Sequence, residues 1–154
     1  MSTEKPIGQK VAEALTDRLE QITKANGYRT NAGEHVYRGK TAIDDAVLQH
    51  VVLFELDDSG TMKPGNLSAV RKTTQRFAVE GGGVCDADDP NDVGHDLVAD
   101  VKRALFGPKD PTLGGITSDL RYVGKSFDPR KFGSDRIAAA IEIEVDYVED
   151  LANP

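Results

Sequence analysis

Ile137-Ala138-Ala139-Ala140-Ile141-Glu142-Ile143-Glu144-Val145-Asp146-Tyr147 alternates large or small apolar residues with alanines and acids, without a break. In an extended chain successive side chains point to opposite faces. Ile137, Ala139, Ile141, Ile143, Val145 and Tyr147 therefore share one face, and Ala138, Ala140, Glu142, Glu144 and Asp146 the other. The stretch predicts a long strand with one buried and one wet side. A strand of that kind belongs to a sheet covered on one face only, the habit of antiparallel sheets.

Two helical patterns can supply the cover. Ile7, Val11, Leu15, Leu19 and Ile22 recur at a spacing that stacks them on one helical face, with Ser2 or Thr3 as a cap, Pro6 near the first turn and Asn26-Gly27 as the stop. Glu13, Asp17, Arg18, Glu20 and Lys24 form the opposite, charged face. Val93, Leu97, Val98, Val101 and Leu105 form the buried face of a second helix that Gly107-Pro108 ends. The acids of Asp86 to Asp92 precede it, where free N–H groups and the positive dipole end favour negative charge, and Pro90 suits its first turn.

The remaining strands read less cleanly. Val36 and Tyr37 suggest a short one, and Thr41 to Leu48 is either a turn or two of helix or a crossing loop. His50 to Leu56 has the β-branched and aromatic density of a buried strand, ending at the turn signal Asp57-Asp58-Ser59-Gly60. Another runs from Arg71 through Val79, which leaves Asp57 to Val70 as a long polar connection, of the sort that carries function or disorder. Gly81-Gly82-Gly83 reads as a bulge or bend at a strand end. Leu120 to Phe127 is a further strand, and Asp128 to Gly133 a reversing turn. The expected fold is α+β: two main helices on one face of a largely antiparallel sheet of four to five strands, in a single domain over residues 1–154 with a loop insertion at about 57–70.

Composition narrows the function classes. The chain has 154 residues, the size of one domain, with 38% hydrophobic and 29% charged residues, a folded rather than a disordered profile. No run approaches the roughly 18 apolar residues of a membrane span, and the first ten residues hold no apolar stretch of signal-peptide type. The chain is expected to stay where it is made, without a membrane partner. A formal charge of −7 has the wrong sign for a protein that draws affinity from nucleic-acid phosphates. Cys85 is the only cysteine, which excludes an internal disulfide and a cysteine-based zinc site.

No residue set points to a reaction or a cofactor. His35, His50 and His95 stand in no metal-ligand spacing, and the acids of Asp86 to Asp92 lack the glycine and distal glutamate of a calcium loop. The glycine triplet has no G-K-[ST] or G-x-G-x-x-G context. Ser59, Ser68, Ser118, Ser126 and Ser134 lack a G-x-S-x-G context, and Cys85 has no adjacent histidine. No catalytic, metal or cofactor-binding residue is therefore assigned, and no enzymatic activity is expected. Two features remain: Met62 and Leu67 amid the polar connection, and the acidic side of the last strand.

Three segments, taken with the element order, carry a likeness: Ile7 to Tyr28 (IGQKVAEALTDRLEQITKANGY), Asp89 to Phe106 (DPNDVGHDLVADVKRALF) and Ile137 to Leu151 (IAAAIEIEVDYVEDL). Together they resemble the tail terminator family of long-tailed bacteriophages and their prophage relatives. The match is weakest at Asp57 to Val70 and Gly81 to Cys85. The resemblance implies a protein of the virion neck, made in the host cytoplasm, that assembles as a homo-hexameric ring on the end of the tail tube. Such a ring stops polymerisation of the major tail tube protein and offers a docking surface to the head-completion complex, while DNA passes its lumen without specific binding. The family brings no catalytic residues. Met62, Lys63, Asn66 and Leu67 are the expected contacts with a neighbouring subunit or the tube, and Glu142 and Glu144 the expected lumen residues, where acids would repel DNA phosphates. A tail-completion or head–tail joining protein shares this size and charge, and a small cytosolic ligand-binding domain or enzyme is the reading from another class.

Overall fold

The computed structural model describes residues 4–62, 69–128 and 135–154. Its elements are α1 (Ile7–Leu19), β1 (Val36–Arg38), β2 (Gln49–Thr61), β3 (Val70–Val84), α2 (Pro90–Phe106), β4 (Asp119–Phe127) and β5 (Arg136–Asp150). The five strands form one sheet in the order β1-β2-β3-β5-β4, with every neighbouring pair antiparallel except β1 against β2. The two helices pack on one face, the α+β arrangement that the alternation of β5 predicts.

The core lies between helices and sheet. Val11, Leu15 and Leu19 of α1 and Leu97, Val101 and Leu105 of α2 are fully or almost fully buried, against Leu53, Phe77, Ile141, Ile143 and Val145 of the sheet. Burying each of these side chains contributes about 1.5–3 kcal/mol. β5 keeps its alternation from end to end: every odd-numbered residue from Ile137 to Tyr147 is buried and every even-numbered one from Ala138 to Asp146 is half-buried.

Several expectations are corrected. α1 stops at Leu19, short of Asn26-Gly27, because the chain turns there through Ile22 N–H to Leu19 carbonyl (3.1 Å); Ile22 stays buried outside the helix. Gly27, at φ 83°, closes a separate short 3-10 turn over Lys24–Asn26. Arg18 does not join the solvated face: its guanidinium donates to the carbonyls of Leu105 (2.7 Å) and Asp110 (2.6 Å) and ties α1 to the end of α2. Before α2, Asp86 accepts from the Asp88 N–H in a local turn, while Asp89 at the N-cap makes no side-chain cap bond. Of the two readings for Thr41 to Leu48, the crossing loop holds and the helix does not.

Asp57-Asp58-Ser59-Gly60 is not a turn. β2 runs through it to Thr61 with a register shift between Glu55 and Asp58, so the acids sit on a bulge within a longer hairpin. Gly81-Gly82-Gly83 is not a bend either, since β3 continues through all three in unbroken register with β5. The glycines serve close approach: a Cβ on Gly81 would stand 3.0 Å from the Leu97 Cβ of α2, and one on Gly82 would stand 2.4 Å from the His50 ring on the other face. The reversing turn expected at Asp128 to Gly133 lies, past Asp128, outside the described residues.

Candidate assembly surface

The helix-free face of the sheet is built from the even-numbered residues of β5 and their cross-strand partners. Glu144 stands between Arg76 of β3 and Arg121 of β4, and Asp146 between Thr74 and Asp119. Arg121 donates to Asp119 (3.0 Å), Glu144 (3.1 Å) and Asp146 (2.9 Å). Arg76 donates to Glu142 (2.9 Å) and to Asp57 on the β2 bulge (3.4 Å), and the Thr74 hydroxyl donates to Asp146 (2.7 Å). The acidic row is thus interleaved with guanidinium groups, whose attraction offsets the repulsion of aligned like charges.

Titration follows from these contacts. The hydrogen bond from the Arg121 guanidinium, helped by the Thr74 hydroxyl, holds the Asp146 carboxyl below its ordinary range. Hydrogen bonding to Asp146, Glu144 and Asp119 raises Arg121 further above neutrality, and Glu142 does the same for Arg76. Five carboxylates surround these two guanidinium groups, so the cluster keeps an excess of negative charge despite the pairing.

The predicted residues therefore fall in two places. Glu142 and Glu144 lie side by side on the helix-free face, each in an ion pair with a different arginine. Met62 stands at the far end of the β2–β3 hairpin and is exposed; Lys63, Asn66 and Leu67 lie outside the described residues. Around that end the chain shows more apolar surface than the sequence reading expected. Val70, Val148 and Leu151 are exposed, and Val70 and Val148 share the helix-free face as diagonal neighbours, two residues apart across the β3–β5 ladder. A shallow groove lined by Ser59, Thr61, Lys72, Thr74, Asp146 and Val148 runs beside them.

Arg76 and Arg121 were missed because a single sequence does not show which strands are neighbours. Arg76 lies within a predicted strand and Arg121 within another, but their acid partners are set by the β3-β5-β4 order. Elsewhere, His50 packs over Gly82 with its Nδ1 buried and without a hydrogen-bond partner among the described residues. Burial and the nearby charges of Arg136 and His35 lower its pKa from the ordinary 6.5. Among the described residues no group of three or more His, Cys, Asp or Glu is placed to hold a metal ion, and no helix is long and apolar enough to cross a membrane. No protein-family model matches the chain, and no curated protein matches it.

Proposed function

We propose that this chain is a structural component of a bacteriophage neck: a tail terminator that closes into a hexameric ring on the tail tube, ends tube polymerisation and offers its other side to the head-completion complex in the virion. It carries out no reaction of its own. The observation that carries the reading is the likeness in Ile7 to Tyr28, Asp89 to Phe106 and Ile137 to Leu151, segments that supply α1, α2 and β5, which share one core with the other long strands. The apolar end of the β2–β3 hairpin supports it, since Met62, Val70, Val148 and Leu151 gather exposed apolar side chains where a partner would contact them. In this reading the helix-free face with Glu142 and Glu144 lines the lumen, and its excess of carboxylates repels the phosphates of passing DNA.

The test is the mass of the purified chain by light scattering, alone over a concentration series and mixed with tail tube protein. A mass of six times the 16.6 kDa chain, reached alone or only on the tube, supports the ring. A monomer that ignores the tube at every concentration overturns it and favours a joining protein or a pocket-binding domain.

A further inference from the structure

Two stretches of the sheet's border end without a strand beside them. β4 pairs only with β5, leaving its outer edge open along Asp119–Phe127. On the opposite border β1 covers β2 only over Val51–Leu53, and the Gly39 N–H closes that contact on the Leu53 carbonyl (2.9 Å). Beyond it, residues 54–61 pair with β3 alone. The Leu56 carbonyl accepts from the Gln75 side-chain amide (2.6 Å) and the Leu120 N–H donates to the Asp119 carboxylate (2.9 Å), but neither run has a strand beside it among the described residues, and such edges are templates for another strand.

The two edges suit each other. β2 and β5 run the same way, both antiparallel to β3, while β4 runs opposite to them. Copies set side by side in one orientation therefore bring β4 and β2 together antiparallel. Their heights agree as well. Followed across the ladders, Asp119 stands level with Ser59 through Asp146 and Thr74, and Tyr122 stands level with Glu55 through Ile143 and Phe77. Each edge carries a register shift at that height, between Glu55 and Asp58 on one and between Tyr122 and Gly124 on the other. Each exposes apolar side chains there, Leu56 on one and Tyr122 and Val123 on the other.

Charge disfavours one alternative. The β2 run carries Glu55, Asp57 and Asp58 and no base, whereas β4 carries Arg121 and Lys125 against Asp119. Two β2 runs would set acids against acids, which disfavours that pairing, whereas the mixed pair brings Arg121 level with the Leu56–Asp57 bulge. We propose that β4 of one copy pairs antiparallel with residues 54–61 of β2 in the next copy, head to tail, so that neighbouring sheets run on into one belt. The contact uses two different patches per copy and is therefore the kind that closes rings. It deepens the ring reading above and, as a ring contact, rests on it.

Cross-linking tests it on the full chain in a Cys85→Ser background. Single variants Val123→Cys, Leu56→Cys and Ser59→Cys are oxidised alone and in mixtures, since a disulfide forms only where the two Cα atoms approach closely. The expected result is a covalent dimer from Val123→Cys mixed with Leu56→Cys, none from Val123→Cys mixed with Ser59→Cys, which stands level with Asp119 instead, and none from any single variant alone. Assembly by light scattering without that link, or links within one single variant, overturns the edge pairing and leaves the ring reading standing. If Val123→Cys and Leu56→Cys link but the chain carrying both grows an open ladder past six copies, the pairing stands and the ring reading fails. A chain that stays monomeric alone and on tail tube protein overturns both. Amide deuterium uptake of the unsubstituted chain gives a reading free of the cysteines. Residues 54–61 and 119–124, the part of β4 level with that run, should slow together as concentration rises, and slowing confined to other segments overturns the proposal.

Discussion

Gly33 shows how little room single positions leave. A Cβ there would stand 2.6 Å from the Ile22 carbonyl oxygen and 2.7 Å from both the Ile22 nitrogen and the Leu19 carbonyl oxygen. These are backbone atoms that no rotamer change can move aside. Gly33→Ala should therefore destabilise the fold by about 3 kcal/mol, at the upper end of overpacking costs, read as a drop in the urea midpoint. His50 is the residue-scale source of pH sensitivity. Its folded-state pKa lies below the unfolded value of 6.5, so its neutral form is the one the fold favours. That contribution is complete above the unfolded pKa and is lost as pH falls through it toward the folded pKa. Stability should drop between pH 7 and 5.5, and His50→Gln should flatten the drop; parallel urea curves at both pH values check it. Neither effect is written in sequence. Gly33 is one glycine among 15, and His50 meets Gly82 only because β2 and β3 pair in that register.

At the scale of elements, α2 holds more than an apolar stripe. Asp100 is 2% exposed and accepts from the backbone N–H of Arg29 (3.0 Å) and Thr30 (2.8 Å) and from the Thr30 hydroxyl (2.8 Å). The helix thus clamps the chain between α1 and β1. Asp100→Ala would leave the buried Thr30 groups unsatisfied, and a loss of about 3 kcal/mol in denaturant titration is expected. On the other face of the sheet, Arg121 is substantially exposed, so its three ion pairs are screened. Arg121→Gln should cost no more than about 1 kcal/mol, and the difference from the unsubstituted chain should shrink as salt is raised from 0.05 to about 0.5 M. Elements differ sharply in how far they were legible. β5 and α2 are legible almost residue by residue, and α1 up to Leu19, because each has one buried face and a buried face imposes a period; past Leu19 the buried Ile22 continues the apolar pattern beyond the helix. β2 reads too short because its end from Leu56 to Thr61 is exposed and the alternation lapses there, and β3 because its buried glycines at 81–83 carry no side-chain pattern. The acids of Asp57-Asp58 and the glycines of residues 81–83 then passed for punctuation, although the ladders on either side carry the strands through them.

For the whole molecule, the assembly surfaces lie where sequence reasoning is weakest. Glu142 and Glu144 were visible as a row, but the arginines that pair with them come from distant parts of the chain, and the open edges exist only once five strands have taken their order. The hairpin tip was visible as a connection of unusual composition. If that connection docks on a neighbour or the tube, replacing Met62, Lys63, Asn66 and Leu67 together by alanine should abolish tail attachment; at Met62, which is exposed, the change should cost about 0.5 kcal/mol or less. Wild-type attachment by that variant, scored by electron microscopy of tails, would refute the role. The middle of the sheet bears on how the molecule comes into being. β3 and β5 are its longest ladder, yet they join residues as far apart in the chain as Val70 and Asp150, with α2 and β4 made in between. β2 with β3 and β4 with β5 can each zip up as local hairpins, but the seam between the two hairpins must wait for a large loop to close. A nascent chain that has emerged only as far as α2 carries the inner edge of β3 bare over fifteen residues, so the interval before β5 arrives is when a growing copy is most open to capture by another.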